Sequence, residues 1–241
     1  MHQCCGVTSM PRKSKFSKAE AIEKVMYAIW ENGYQQSSVK SLSEMLGITR
    51  SSFYNAFGSR EALFKEVMSL YEQRYTLTIL LTTKKTDNIK GKFTEYFQQL
   101  CSKRSQDNKH TGCLSVNSMV ELCKHWENIH SDDYEAMAAQ SNIYLDVAAN
   151  SDFKNTEPQS IVLAVLMRDK LELTNEHIEK LLGWAKEKGE IPETANIASL
   201  ALAITNLNIG INTMSRIVHE EYRLWEAART TLEGFGLFSE M

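Results

Sequence analysis

Three observations predict an all-α fold for this chain. Only 3 prolines and 11 glycines occur in its 241 residues, so long stretches run free of either helix breaker. Apolar residues recur at helical spacing through most of the chain. Serine or threonine stands at the start of the first such segments, where helix N-caps belong. The organisation this predicts is a flexible basic extension over 1–15, a three-helix domain over 16–60 and a larger helical domain over 61–241. Met10-Pro11-Arg12-Lys13 reads like a natural basic start, which makes the residues before it an upstream extension.

The first helix begins at Ser17-Lys18-Ala19-Glu20, a capping-box pattern in which serine accepts an orphan amide proton and glutamate reaches back. Ala21, Ile22, Val25, Met26 and Ile29 then share one face, and Gly33 is a permissive stop. A second short helix follows over Ser38 to Leu46, with Val39, Leu42, Met45 and Leu46 on its apolar side. Gly47 ends it. Ile48 plugs the gap, Thr49 is an N-cap, and Arg50 to Phe57 form a third helix with Phe53 and Phe57 inward. Helix, glycine turn, helix is the outline of a helix-turn-helix, although spacing alone also fits an ordinary helical hairpin. The outer face carries Arg50, Ser51, Ser52, Tyr54 and Asn55, chemistry suited to base edges and phosphates.

The stretch ITRSSFYNAFGSREALF from Ile48 to Phe64 resembles the tetracycline-repressor-like (TetR) family, through Gly47-Ile48-Thr49, Tyr54-x-x-Phe57 and Ser59-Arg60-Glu61-x-Leu63. The resemblance extends from about Ala19 to Leu70. It implies a dimeric regulator that binds double-stranded operator DNA and responds to a small molecule. By position it also implies that Ser38 and Lys40 lie at the DNA and that Thr49, Arg50, Ser51 and Ser52 fall on the recognition helix, with Asn55 on the same face. Tyr54 and Arg60 would meet the phosphate backbone. Ser51 and Ala56 depart from the residues frequent there.

Beyond Arg60, Leu63, Phe64, Val67, Met68 and Tyr71 continue one long helix to about Leu81. Further helices are expected over Asn88–Arg104, Cys113–Glu127, Asp132–Ala149, Pro158–Asp169 and Asn175–Lys188, with loops at 102–112 and 150–157. Phe93, Tyr96, Phe97, Met119, Trp126, Tyr134, Met137, Tyr144, Met167 and Trp184 offer aromatic and thioether walls for a mostly apolar effector, with Asn117 and His125 as polar anchors. Plain core packing is the alternative for each. Gly112-Cys113-Leu114-x-x-Asn117 followed by Glu121 is similar to a pattern in one subgroup of the family. At a helix start, Cys113 is a candidate sensor of oxidants or electrophiles, against the alternative of a small buried hydrophobe. A last pair, about Ala195 to His219 and Tyr222 to Phe235, mixes small residues such as Ala198, Ala201, Ala203 and Gly210 with large apolar ones. Two such pairs fit an intersubunit four-helix bundle, or else internal core.

The formal charge is −3 overall, but residues through Leu70 hold nine Lys and Arg against six Asp and Glu, and the remainder 18 against 24. A basic head on an acidic body suits a DNA reader, although an imbalance this small also fits chance fluctuation between two segments. No apolar run exceeds Ile161 to Met167, so no membrane segment or signal-peptide core is expected and the cytoplasm is the expected location. Five cysteines form no disulfide framework. No phosphate-cradling glycine motif is present, so no cofactor is expected. Cys101, His110, Cys113, Cys123, His125 and His130 lack the paired spacing of a zinc site, and no metal is expected. The rival readings are a helical ligand-binding or adaptor protein without DNA binding, and a hydrolase with Cys113 as nucleophile, for which no orienting partner is visible.

Overall fold

The computed structural model describes residues 17–123 and 158–240. Among them are ten helices and no strand: α1 (Lys18–Asn32), α2 (Val39–Leu46), α3 (Arg50–Phe57), α4 (Arg60–Tyr75), α5 (Ile79–Thr82), α6 (Ile89–Ser105), α7 (Leu114–Leu122), α8 (Pro158–Glu187), α9 (Ile197–Met214) and α10 (Glu221–Gly234). The extension over 1–15 and the helix expected at Asp132–Ala149 lie outside the described residues, apart from which the elements follow the expected order.

The N-terminal starts are local chemistry. Ser17 accepts the Glu20 amide proton at 3.2 Å, Ser38 that of Ser41 at 3.1 Å, Thr49 that of Ser52 at 3.1 Å and Ser59 that of Ala62 at 3.0 Å. Each cap satisfies an orphan amide and contributes about 1 kcal/mol. Between α2 and α3, Gly47 adopts the left-handed conformation with φ 65° and returns its N–H to the last carbonyls of α2.

Two apolar cores organise the packing. The first joins Val25, Met26 and Ile29 of α1, Phe53 and Phe57 of α3 and Leu63, Phe64 and Tyr71 of α4 to Leu114 of α7 and Leu163 and Met167 of α8. The second joins Phe93 and Phe97 of α6, Leu181 and Leu182 of α8, Ala201 and Ile204 of α9 and Leu224 and Leu232 of α10. The N-terminal helices α1, α3 and α4 therefore share their core with α7 and α8, and α8 contributes to both cores.

Three departures from expectation have physical causes. The helix expected to reach Leu81 stops at Tyr75, where Thr76 turns extended (ψ 131°), and a single turn, α5, follows. β-Branched Thr76 and Thr78 favour that exit. The two helices expected at Pro158–Asp169 and Asn175–Lys188 are one, the 30-residue α8. Asn175 is tolerated inside it because its amide donates to Glu179 at 2.9 Å and its carbonyl accepts from Thr205 on α9 at 3.2 Å. Finally, exclusion of a membrane segment rested on unbroken apolar runs, yet α9 has a mean hydropathy of 1.3 over 18 residues, enough by length and composition to span a bilayer. In the structure α9 packs beside α6, α7, α8 and α10. Much of it is nonetheless left uncovered, Leu202 being 62% exposed.

Candidate nucleic-acid interface

α3 is eight residues long and has one side to bury. Phe53 and Phe57 fill the first core, which leaves Arg50, Ser51, Ser52, Tyr54 and Asn55 exposed together on the other side. Tyr54, half exposed, stands edge-on to Phe53 with ring centroids 5.8 Å apart, so its hydroxyl is held outward. Ser38 and Lys40 are exposed at the start of α2. Neither Lys40 nor Arg50 forms an ion pair with another described residue. The first turns of α2 and α3 contain no acidic residue, which leaves their N-terminal partial positive charge free for an anion.

Ser38, Thr49 and Ser52 have a second task. Ser38 and Thr49 are N-caps, and the Ser52 hydroxyl lies 3.0 Å from that of Thr49. Their hydroxyls first fix the two helix starts, and only remaining hydrogen-bonding capacity faces outward. Arg60 differs more from expectation. It is half-buried, its guanidinium lying 3.8 Å over the Tyr34 ring and donating to the Tyr34 carbonyl at 2.5 Å. Its Nε is buried without a hydrogen-bond partner among the described residues. A side chain held in this way packs on the turn between α1 and α2.

Tyr34 is the junction the sequence did not reveal. Its hydroxyl donates to Glu61 at 3.1 Å, and its N–H and that of Gln35 each reach the Glu121 carboxylate at 2.8 Å. Burial first, then the Glu61 charge, push its phenol well above the ordinary range. Glu121 lies on α7 in the body, so the Gly112 to Glu121 pattern is a mounting for the reader. Within the same pattern Gly112 has φ 70°, its carbonyl accepts from Trp30 of α1 at 3.2 Å and from Arg104 at 2.8 Å, and Asn117 donates to the Thr111 carbonyl at 2.7 Å. The pattern was visible in the sequence, but its partner, a backbone turn 87 residues away, carries no side-chain signature.

The expected effector walls do not form one chamber among the described residues. Phe93 and Phe97 are fully packed in the second core, where Tyr96 donates to Asn208 at 2.9 Å and Trp184 lies half-buried beneath Lys180. Met119 and Met167 belong to the first core. Asn117 is spent on the α7 start. His125, Trp126, Tyr134, Met137 and Tyr144 lie outside the described residues. Two hollows stand elsewhere: a groove of about 570 Å³ bordered by Gln98, Tyr222 and Trp225, and a crevice of about 290 Å³ between α1 and the end of α6. Neither is lined by an expected wall residue. Cys113, the N-cap position of α7, is half-buried and accepts from the Tyr71 hydroxyl at 3.4 Å. Among the described residues no cluster of metal-ligating side chains is present.

Among the described residues every element is helical, and an N-terminal helix pair turns a short polar helix outward, the arrangement of a helix-turn-helix DNA-binding regulator. Residues 26–67 match the N-terminal model of the tetR family of bacterial regulatory proteins. Over 231 residues it is 20% identical to the HTH-type transcriptional repressor ComR of Escherichia coli, covering 95% of this chain and 93% of that protein. A 141-residue stretch is 25% identical to the E. coli HTH-type transcriptional repressor BdcR, over 55% of this chain and 66% of that protein. Among solved structures, a cysteine-substituted CifR, a TetR family transcriptional regulator complexed with 26-bp operator DNA, superposes with a TM-score of 0.68 at 18% identity, over 93% of this chain and 100% of that one.

Proposed function

We propose that this protein is a cytoplasmic repressor that binds a near-palindromic operator as a homodimer and is released by a small, mostly apolar effector. One observation carries the DNA half of the reading: Arg50, Ser51, Tyr54 and Asn55 share the exposed side of α3, and Arg50 forms no ion pair with a described residue. Arg50 and Ser52, with Lys40 beside them, are assigned to base reading, and Tyr54, Ser38 and Thr49 to phosphate. Arg60 is assigned to positioning, since its guanidinium is committed to Tyr34. Repression, rather than activation, is supported by the two relatives named as repressors.

Dimerisation is supported by apolar surface left on the last two helices and the turn between them, where Leu202, Ile217 and Tyr222 are 62%, 83% and 72% exposed. Apolar surface concentrated on a helix pair marks an association site, and a second copy using the same pair closes a two-fold bundle. An effector would act where body meets reader, because Glu121 and Gly112 tie the two together there.

The deciding experiment is a mobility shift with DNA flanking the protein's own gene, using wild type and Arg50→Ala. Expected is a discrete shift with wild type and a loss of about tenfold or more with the variant at the favoured site, corresponding to roughly 1–3 kcal/mol per lost base contact. Equal binding by both proteins to specific and scrambled DNA would defeat the reading.

A further inference from the structure

Arg104, at the end of α6, is 6% exposed, and its described hydrogen-bond partners are neutral: the Asn212 side-chain oxygen at 2.6 Å, the Gly112 carbonyl at 2.8 Å and the Tyr71 hydroxyl. No carboxylate among the described residues pairs with it. Buried guanidinium groups are ordinarily matched by an anion, because neutral oxygens offset only part of the lost hydration. The next cation stands beside it. Lys103 donates to the Tyr75 carbonyl at 2.6 Å, and burial together with the Arg104 charge pulls its ammonium below the ordinary lysine range.

Both residues line the crevice between α1 and α6. Its acids are already committed. Glu31 is ion-paired with Lys109, and Asp107 accepts from the Thr111 amide and hydroxyl at 2.8 and 2.9 Å and from the Gly112 amide at 3.2 Å. The remaining wall is aromatic: Trp30 meets Tyr75 edge-to-face at 5.0 Å and lies parallel to Tyr27 at 6.4 Å. The Tyr27 and Tyr75 hydroxyls are bonded at 2.8 Å, which uses one of their two protons and leaves the other to donate. About 290 Å³ suits one or two fused rings.

We propose that this crevice binds a small aromatic carboxylate, its charge taken by Arg104 and Lys103 and its ring held against Trp30 and Tyr75. The occupant would sit where Trp30 of the reader and Arg104 of the body share one acceptor, the Gly112 carbonyl. Binding there would alter the grip of body on reader. The site stands on its own geometry, and only its effect on DNA rests on the regulator reading above.

The test titrates full-length protein with benzoate, 1-naphthoate and indole-3-acetate, and with the matching neutral amides, by calorimetry and tryptophan fluorescence. Expected is saturable binding of at least one acid, about tenfold or more weaker for its amide, with a fluorescence change lost in Trp30→Phe. Lys103→Gln should weaken the acid by about tenfold in a protein that still shows a cooperative melting transition. It decides the matter if the more buried Arg104→Gln fails to fold. No saturable binding of any acid at millimolar concentration, equal binding of acids and amides, or unaltered affinity in Lys103→Gln would overturn the site. Binding without any change in operator affinity would keep the site and remove only its regulatory consequence.

Discussion

The carboxylate of Glu121 holds the backbone N–H of Tyr34 at 2.8 Å and, through its second oxygen, that of Gln35 at the same distance. One side chain of the body therefore closes the entry to the helix-turn-helix. Hydrogen bonds to a charged acceptor contribute about 1.5–3 kcal/mol, so Glu121→Ala should lower unfolding stability by about that amount and weaken operator binding without altering which sequence is preferred. Urea unfolding and a competition binding series measure the two effects. An unchanged midpoint would remove the clamp.

Gly112 is required twice over. Its φ of 70° is left-handed, and an added Cβ would lie 2.9 Å from the Asn212 carbonyl oxygen. Backbone on one side and an unfavourable conformation on the other leave little room to relax, so Gly112→Ala should cost about 1–3 kcal/mol. Thermal unfolding checks it, and a neutral result would mean the α6–α7 turn moves freely against α9.

Arg50 and Arg60 should separate cleanly. Arg50→Ala should leave the melting temperature unchanged and relax base preference. Arg60→Ala should lower stability, because the Tyr34 ring and carbonyl lose their cation together, and should leave the salt dependence of DNA binding near that of wild type. A salt slope shallower by about one unit per subunit would instead restore Arg60 to the phosphate backbone.

Cys101 is buried, and its thiol is pushed from 9.0 to about 12 by burial and then by the Glu221 charge. It should resist iodoacetamide at neutral pH until the protein unfolds, as read by mass spectrometry, and labelling of Cys101 as fast as of half-buried Cys113 would contradict its environment. The sign of the pH effect follows. The unfolded thiol ionises first as pH rises past about 9, so the stability Cys101 contributes is complete below that pH and is lost progressively toward 12. Cys101→Ala should flatten that alkaline decline.

For Cys113 the sensor role predicts that peroxide or an electrophile weakens operator binding in wild type and leaves Cys113→Ser unaffected. A matching response in both would assign the residue to packing beside Tyr71.

What was legible in the sequence was what is encoded locally. Ser17, Ser38 and Thr49 announce helix starts because a cap bonds its own next turn, and Phe53 with Phe57 give the buried side of α3 by spacing alone. The unbroken course of α8 was not legible, since Asn175 reads as the start of a new helix until Thr205, 30 residues away, bonds its side chain. The Arg60 contact was not legible for a similar reason: only folding brings its guanidinium over Tyr34. The aromatic residues expected to wall a pocket follow the same hydrophobic spacing as core, and Phe93 and Phe97 are core.

α8 spans about 45 Å at a rise of about 1.5 Å per residue, with Leu163 and Met167 sealed among the reader helices and Leu181 and Leu182 sealed among α6, α9 and α10. A DNA reader is often imagined as a detachable head, but here the head lacks part of its own interior when cut away. Heating should accordingly melt the molecule in a single calorimetric transition rather than two. A fragment ending at Tyr75 should remain loosely packed, with its Phe64 and Tyr71 side chains deprived of the helix that covers them.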